Sequence, residues 1–364
     1  MGLTTEEFPP ATVDTRRWLD SVRLRCQAYA DVFVADQCER LFAGRGEGAV
    51  AVRAIPEFVR GGKFLRPMMA YVGWRCGAPE DDHAARAASS LELLHCFALA
   101  QDDVMDASAL RRGRPALHTR FSRWHDEQQW SGSPDRFGAS AAILTGDLFL
   151  VWAERMLRES GLGQDALARG WPLYDDMRAE LAAGQLADLV NDSRRRPSWD
   201  AVLDVLRRKS GNYTVRRPLE FGAALAGCDS TVMAALGEYG GSVGEAFQFR
   251  DDLLGTFGDP AVTGKPAGQD LRDRKASSVV VLALDLAVDQ ERQEIDALLA
   301  GEIDDVTVDR LRDVITATGA PEQLEKLIDA RVTRSLEAVD LVDLPRPAFD
   351  ALTLLAARCT DRRR

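Results

Sequence analysis

Three carboxylates close the run Leu91 to Asp106 (LELLHCFALAQDDVMD): Asp102, Asp103 and Asp106. Apolar residues recur through it at helical spacing, so a helix stacks Asp102 and Asp106 on one face and turns Asp103 about 100° away. Like charges four apart repel, and a helix C-terminus is already the negative end of the macrodipole. Three acids there need a cation. All-oxygen donors favour Mg²⁺, which takes one or two carboxylates and shares its other sites with water and substrate phosphates. The plainer reading is a solvated acidic helix end. A second group, Gln248-Phe249-Arg250-Asp251-Asp252, again closes an apolar helical run and precedes a loop. Two acidic pairs of one form, each at a helix end, favour a metal site over chance.

Basic residues complete the pattern. Gly61-Gly62-Lys63 with Arg66, Arg111-Arg112-Gly113-Arg114, Lys209-Ser210, Lys265 and Lys275 all fall at helix ends or in loops. Arg offers a planar fork to two phosphate oxygens and Lys a point charge, so both suit a diphosphate. Each alone reads as a surface charge.

The elements that must position these residues are helical. Hydrophobic residues make up 46% of the 364, aromatics only 7%, and Ala and Leu dominate the apolar share, as helices prefer. The expected class is all-α. Breaks at Gly44 to Gly48, Arg60-Gly61-Gly62, Gly77-Ala78-Pro79 and Arg112 to Pro115 delimit long helices. The longest irregular piece, Gly255 to Gly268 (GTFGDPAVTGKPAG), is too rich in Gly and Pro for a helix interior and has the length of a functional lid. No repeat recurs. The reading is a flexible arm over residues 1–17 and one helical domain over 18–364, whose segment after Ala287 forms a polar, amphipathic cap.

A net charge of −11 argues against a nucleic-acid partner held by charge. Six scattered cysteines without a CxxC pair, and four unclustered histidines, point to neither a disulfide framework nor a zinc site. The N-terminus is acidic and lacks an apolar core segment, so no export signal is read and a cytoplasmic location is expected. The most apolar runs, LELLHCFALA and SVVVLALDLAV, fall short of the roughly 18 to 20 residues of a membrane span and read as core helices. No stable membrane insertion is expected.

The ordered motifs GGKFLRP (Gly61 to Pro67), DDVMD (Asp102 to Asp106), RRGRPALH (Arg111 to His118), GQLAD (Gly184 to Asp188), KSGNYT (Lys209 to Thr214), FQFRDDLLGTFGD (Phe247 to Asp259) and GKPAGQDLRDRK (Gly264 to Lys275) resemble those of trans-isoprenyl diphosphate synthases. That resemblance implies an all-α fold of long antiparallel helices around a deep central cavity, usually as a homodimer. It implies three Mg²⁺ ions, with Asp102, Asp106 and Asp251 as metal ligands and Asp103 and Asp252 in support. Lys63, Arg66, His95 and Arg112 would hold isopentenyl diphosphate. Arg111, Lys209, Ser210, Gln248 and Lys265 would hold an allylic diphosphate, and Lys275 would close over it. Ionisation of the allylic C–O bond and attack by the isopentenyl double bond would follow.

Three positions depart from the family pattern: Phe64 replaces a basic residue, Gly255 stands where many members carry a third Asp, and KAS (Lys275 to Ser277) replaces the common KRT. Asp259 is the candidate to stand in for the missing acid. Product length in the family is set just before the first Asp motif, and a bulky Phe97 followed by a small Ala98 resembles geranylgeranyl diphosphate synthases. Farnesyl or longer-chain synthases are the near alternatives. A class I terpene cyclase would need NDxxSxxxE, whereas Asn191-Asp192 here meets Arg195 at the Ser position. An inactive partner subunit would have eroded Asp motifs.

Overall fold

The computed structural model describes residues 13–46, 48–194, 197–258 and 268–360. Its elements are α1 (Val13–Phe42), α2 (Gly48–Arg60), α3 (Leu65–Arg75), α4 (Asp82–Met105), a hairpin of β1 (Leu110–Arg111) and β2 (Arg114–Pro115), α5 (Leu117–Glu127), α6 (Pro134–Arg158), α7 (Gln164–Asp192), α8 (Trp199–Val205), a π-helical segment Leu206–Arg216, α9 (Arg217–Ala226), α10 (Ser230–Phe257), α11 (Gln269–Arg272), α12 (Ser278–Leu286), α13 (Asp289–Ala300), α14 (Asp305–Ala317), α15 (Ala320–Asp340) and α16 (Arg346–Thr360). The all-α expectation holds. Residues 13–17, read from sequence as arm, are the first turn of α1, and Thr15 within them is already buried.

Polar side chains start the two helices that carry the acidic groups. Asp81 caps α4 by accepting the Ala84 N–H at 2.9 Å, and Asp229 caps α10 by accepting from Thr231 and Val232. From Ala84 to Leu94 every α4 residue but Arg86 is buried, so α4 is an interior helix lying along α6. Helix α6 is the described helix long and apolar enough, by length and composition, to cross a membrane; the sequence reading had not singled it out.

The cap expected after Ala287 is woven into the core. Helix α15 lies along α10, and α16 buries Ala348, Ala351, Leu352 and Leu355 in a cluster shared with α3, α9 and α10. Tyr239 Oη of α10 donates to the Leu352 carbonyl at 2.7 Å. Arg250, the residue before the second Asp pair, donates from Nη1 and Nη2 to both oxygens of Glu325 at 2.6 Å and from Nε to the Thr360 carbonyl at 2.8 Å. One guanidinium thus ties the acidic end of α10 to both C-terminal helices. Periodicity had shown an amphipathic face but not its partner.

The π-helical segment is gripped between α7 and α10 by backbone contact. A Cβ on Gly184 would lie 2.6 Å from the Lys209 nitrogen, and one on Gly244 would lie 2.6 Å from the Gly211 carbonyl oxygen. Only glycine permits these approaches, and from this segment Lys209 reaches Asp102 of α4. Gly244→Ala is therefore expected to lose about 1–3 kcal/mol by overpacking in chemical denaturation. Gly241→Ala, with open space at its Cβ, is expected to be neutral or to gain about 0.5–1 kcal/mol. Equal effects would contradict the contact.

Candidate active site

The two Asp pairs divide their members in the same way. Asp102 and Asp106 keep 22% and 23% of their side chains exposed, whereas Asp103 keeps none. On α10, Asp251 is half-buried and Asp252 is buried. Arg111 Nε donates to Asp103 Oδ1 at 2.7 Å. Asp252 accepts the Ser278 N–H at 2.8 Å, the Ser278 hydroxyl at 2.6 Å and Gln248 Nε2 at 2.7 Å, fixing the first turn of α12. Burial pushes the Asp252 carboxyl up to about 6 against these hydrogen bonds. Asp103 and Asp252 hold structure, while Asp102, Asp106 and Asp251 stay partly exposed.

Cations crowd the outward carboxylates. Lys209 Nζ lies 3.3 Å from Asp102 Oδ1 and is bonded to Asp188. Arg111 Nη2 donates to Asp102 Oδ2 at 3.3 Å, and Lys275 Nζ donates to Asp106 Oδ2 at 3.4 Å. Burial raises the Asp102 pKa, but Lys209, Arg111 and Lys275 outweigh it and hold the group below the usual carboxylate range. Burial likewise disfavours charge on Lys209 and Lys275, and the facing acids outweigh it in both. Arg111 is aimed by the hairpin, whose loop residues Arg112 and Gly113 have φ of 53° and 72°. Two consecutive positive φ values are the I′ turn of a two-residue hairpin. Arg112, a non-glycine held at positive φ, carries backbone strain at a candidate site position.

Lys275 is held by acids from several elements: the charges acting on it include Asp106, Asp270, Asp102 and Asp188. Asp270 fills the place beside Gly255: a Cβ on Gly255 would lie 1.8 Å from its Oδ2. The acid missing from the second motif is thus answered from α11. Asp259, the sequence candidate for that part, lies outside the described residues, as does Lys265.

A second basic group lies against α4. Arg66 donates from Nη2 to Thr214 Oγ1 at 2.8 Å and stacks 4.3 Å above the Tyr213 ring. His95 faces the same ring at 6.3 Å between centroids, and Arg112 Nη2 stands 3.8 Å from Glu92 Oε1. Burial and then the charges of Arg66, Arg112 and Arg111 push the His95 pKa well down, so it is neutral. Arg66 Nε, Glu92 Oε1, His95 Nδ1 and Tyr213 Oη are all buried without a hydrogen-bond partner. Orphaned polar atoms gathered at one place are what a polar ligand satisfies. Lys63 is exposed in the loop before α3, Ser210 and Gln248 are half-buried, and Phe97 and Ala98 are half-buried against the larger apolar core.

The donors fit magnesium. The outward groups offer only carboxylate oxygen, and among the described residues no three His, Cys, Asp or Glu side chains stand close enough to hold an ion by themselves. That suits an ion that completes its shell with water and diphosphate. Asn191, by contrast, is buried and donates to the Ala201 carbonyl at 3.2 Å, which ties the end of α7 to α8 instead of facing a metal.

Sequence reasoning missed Glu92, Tyr213, Asp270 and the role of Asp188. Asp188 stood in a quoted motif, and Glu92 was detectable as the lone acid in an apolar run three residues before His95. Gly62 has room for nothing larger because Glu92 Oε1 would lie 1.9 Å from its Cβ.

The polyprenyl synthetase family model matches residues 50–317. The chain is 33% identical over 304 residues to a geranylgeranyl diphosphate synthase of Mycobacterium tuberculosis, covering 82% of this chain and 80% of that protein. It is 31% identical over 300 residues to a geranylfarnesyl diphosphate synthase of Aeropyrum pernix, covering 80% and 86%. Among solved structures, a geranylgeranyl pyrophosphate synthase from Corynebacterium glutamicum, complexed with isoprenyl diphosphate and magnesium, superposes with a TM-score of 0.88 at 36% identity. That match covers 96% of this chain and 100% of the other.

Glu92 gives the site a pH signature. Burial raises its carboxyl from 4.5 to about 7, with Arg112 and Arg66 opposing. Between those values the native chain keeps a proton that the unfolded chain has lost, so stability falls as pH rises through the window, by about 1.4 kcal/mol per unit at most. Denaturation of the parent and of Glu92→Gln at pH 5 and pH 7.5 is expected to show that the variant removes this decline. Parallel curves would contradict it.

Proposed function

This chain belongs to the polyprenyl synthetase family, and from that premise we propose that it condenses isopentenyl diphosphate with an allylic diphosphate to give geranylgeranyl diphosphate, the C20 product. It is a trans-prenyltransferase acting on isoprenoid diphosphates, and its family is magnesium-dependent. The observation that carries the two-substrate reading is the pair of separate basic groups: Arg111, Lys209 and Lys275 against Asp102 and Asp106, and Arg66, Arg112 and neutral His95 around Glu92.

Asp102, Asp106 and Asp251 would hold three magnesium ions in this reading. When bound, magnesium offsets the charge that develops on the leaving diphosphate. Arg111, Lys209, Ser210, Gln248 and Lys265 grip the allylic diphosphate, and Lys275 closes over it. Asp103 keeps Arg111 aimed, and Asp252 keeps α12 in place. Lys63, Arg66, His95 and Arg112 orient isopentenyl diphosphate, whose double bond attacks the allylic cation. The allylic C–O bond breaks first, giving the cation and diphosphate; the isopentenyl double bond then forms the new C–C bond, and the departed diphosphate takes the proton that the condensed isopentenyl unit loses. Exclusion of water protects the cation.

Relatives of this chain differ in product, so membership of the family leaves its length open. Phe97 as the floor and Ala98 as the gap beside it favour C20. A homodimer is part of the proposal, because α6 and α7, joined by Arg178 and Glu154, present Leu144, Val151 and Leu186 at 65%, 62% and 65% exposure. So are a single helical domain, a cytoplasmic location and no stable membrane insertion, resting on the unclustered cysteines and the packing of α6 against α4 and α5. The net charge of −11 leaves nucleic acid outside it.

Purified protein given Mg²⁺, isopentenyl diphosphate and each allylic primer in turn is expected to yield a C20 diphosphate, and Phe97→Ala a longer one. No elongation, or a cyclic hydrocarbon, would overturn the reading; an unchanged product from Phe97→Ala would refute the floor alone.

A further inference from the structure

A cavity of about 590 Å³ opens between α10, α15 and the two ends of the π-helical segment. None of its lining residues belongs to the site described above. Five arginines line it: Arg207, Arg216, Arg217, Arg331 and Arg334. The lining carboxylates are Glu220, Glu238 and Glu245, so positive charge is in excess there although the chain as a whole carries −11.

The way these charges pair leaves binding capacity unused. Glu245 accepts Arg207 Nε and Arg331 Nε, one on each oxygen, at 2.7 Å. Glu220 accepts Arg216 Nε at 2.8 Å, and Glu238 accepts Arg334 Nε. Among the described residues, the carboxylates thus grip these four guanidiniums by Nε and fix their planes. Their terminal amino pairs, the edge that meets phosphate oxygens, take part in none of these hydrogen bonds. Arg217 differs, giving Nε to Glu180 and Nη1 to Glu220. Glu245 and Glu220 are themselves buried, so the anchors are preformed.

We propose that this cavity binds a diphosphate-class anion outside the catalytic site. Arg207 and Arg216 sit at opposite ends of the π-helical segment that carries Lys209 and Ser210. An anion drawn to both therefore biases the segment that presents those residues. Two sources share this chemistry: free inorganic diphosphate and the diphosphate head of a prenyl chain.

Gly241 provides the test, because it lines the cavity and a Cβ there meets nothing within 4 Å. Gly241→Glu would place a carboxylate among the arginines without disturbing backbone packing, and Gly241→Ala is the control. Calorimetric titration with inorganic diphosphate in EDTA removes the magnesium-dependent contribution of the Asp groups. The parent, Gly241→Ala and Lys209→Ala are expected to bind diphosphate, and Arg66→Ala/Arg112→Ala, which removes the magnesium-independent basic group of the catalytic site, is expected to keep one diphosphate per chain. Gly241→Glu and the double variant Arg331→Gln/Arg334→Gln are expected to bind at least tenfold more weakly, with thermal unfolding reporting that each is folded. A parallel titration with geranylgeranyl diphosphate distinguishes the sources: equal affinity identifies the head group, and tighter inorganic binding identifies the free anion. No binding to the parent, undiminished binding to Gly241→Glu, or loss in Lys209→Ala would overturn the proposal.

Discussion

The structure depends on balancing carboxylates that are only partly in water. Asp102, Asp106, Asp188 and Asp270 all act on Lys275, Asp103 is buried beside them on α4, and partly buried charge of one sign is tolerated only beside cations. Arg111, Lys209 and Lys275 supply them, each from a different backbone device. The I′ hairpin aims Arg111, the glycine-gripped π-helical segment carries Lys209, and the stretch after α11 brings in Lys275. These cations also suit an incoming diphosphate, so the groups that neutralise the chain can bind its substrate.

Within that balance, the repeated Asp-Asp pair is a division of labour. A helix can turn only one of two adjacent residues toward a given face, so the neighbour must point into the protein and be satisfied there. Asp103 gives Oδ1 to Arg111 while its Oδ2 stays buried without a partner, and Asp252 is satisfied by Ser278 and Gln248. The buried members connect the acidic helix ends to the elements that follow them. Arg250 extends the same logic to the C-terminus by locking α10 onto α15 and α16.

Much of this was legible in the sequence. Ala- and Leu-rich helical periodicity gave the fold class, and the four-residue spacing of Asp102 and Asp106 gave their shared face. Other features depended on contacts that spacing does not encode. The pattern puts Lys209 and Ser210 at a helix end or in a loop, whereas they lie inside a π-helical segment against whose backbone Gly184 and Gly244 press. Asp270 answers Gly255 across a loop, so its relation to the second motif exists only in three dimensions. The C-terminal segment showed an apolar face, but no local signal said that α3, α9 and α10 would cover it.

The division between the outward and inward Asp is tested most directly by thermal unfolding with and without Mg²⁺ plus inorganic diphosphate. Asp251→Ala is expected to lose the stabilisation that the ligands give. Asp252→Ala, which leaves the Ser278 donors without their acceptor at a cost of about 1–3 kcal/mol, is expected to unfold earlier when apo yet still respond to the ligands. Reversed behaviour, or two variants that cannot be told apart, would contradict the account.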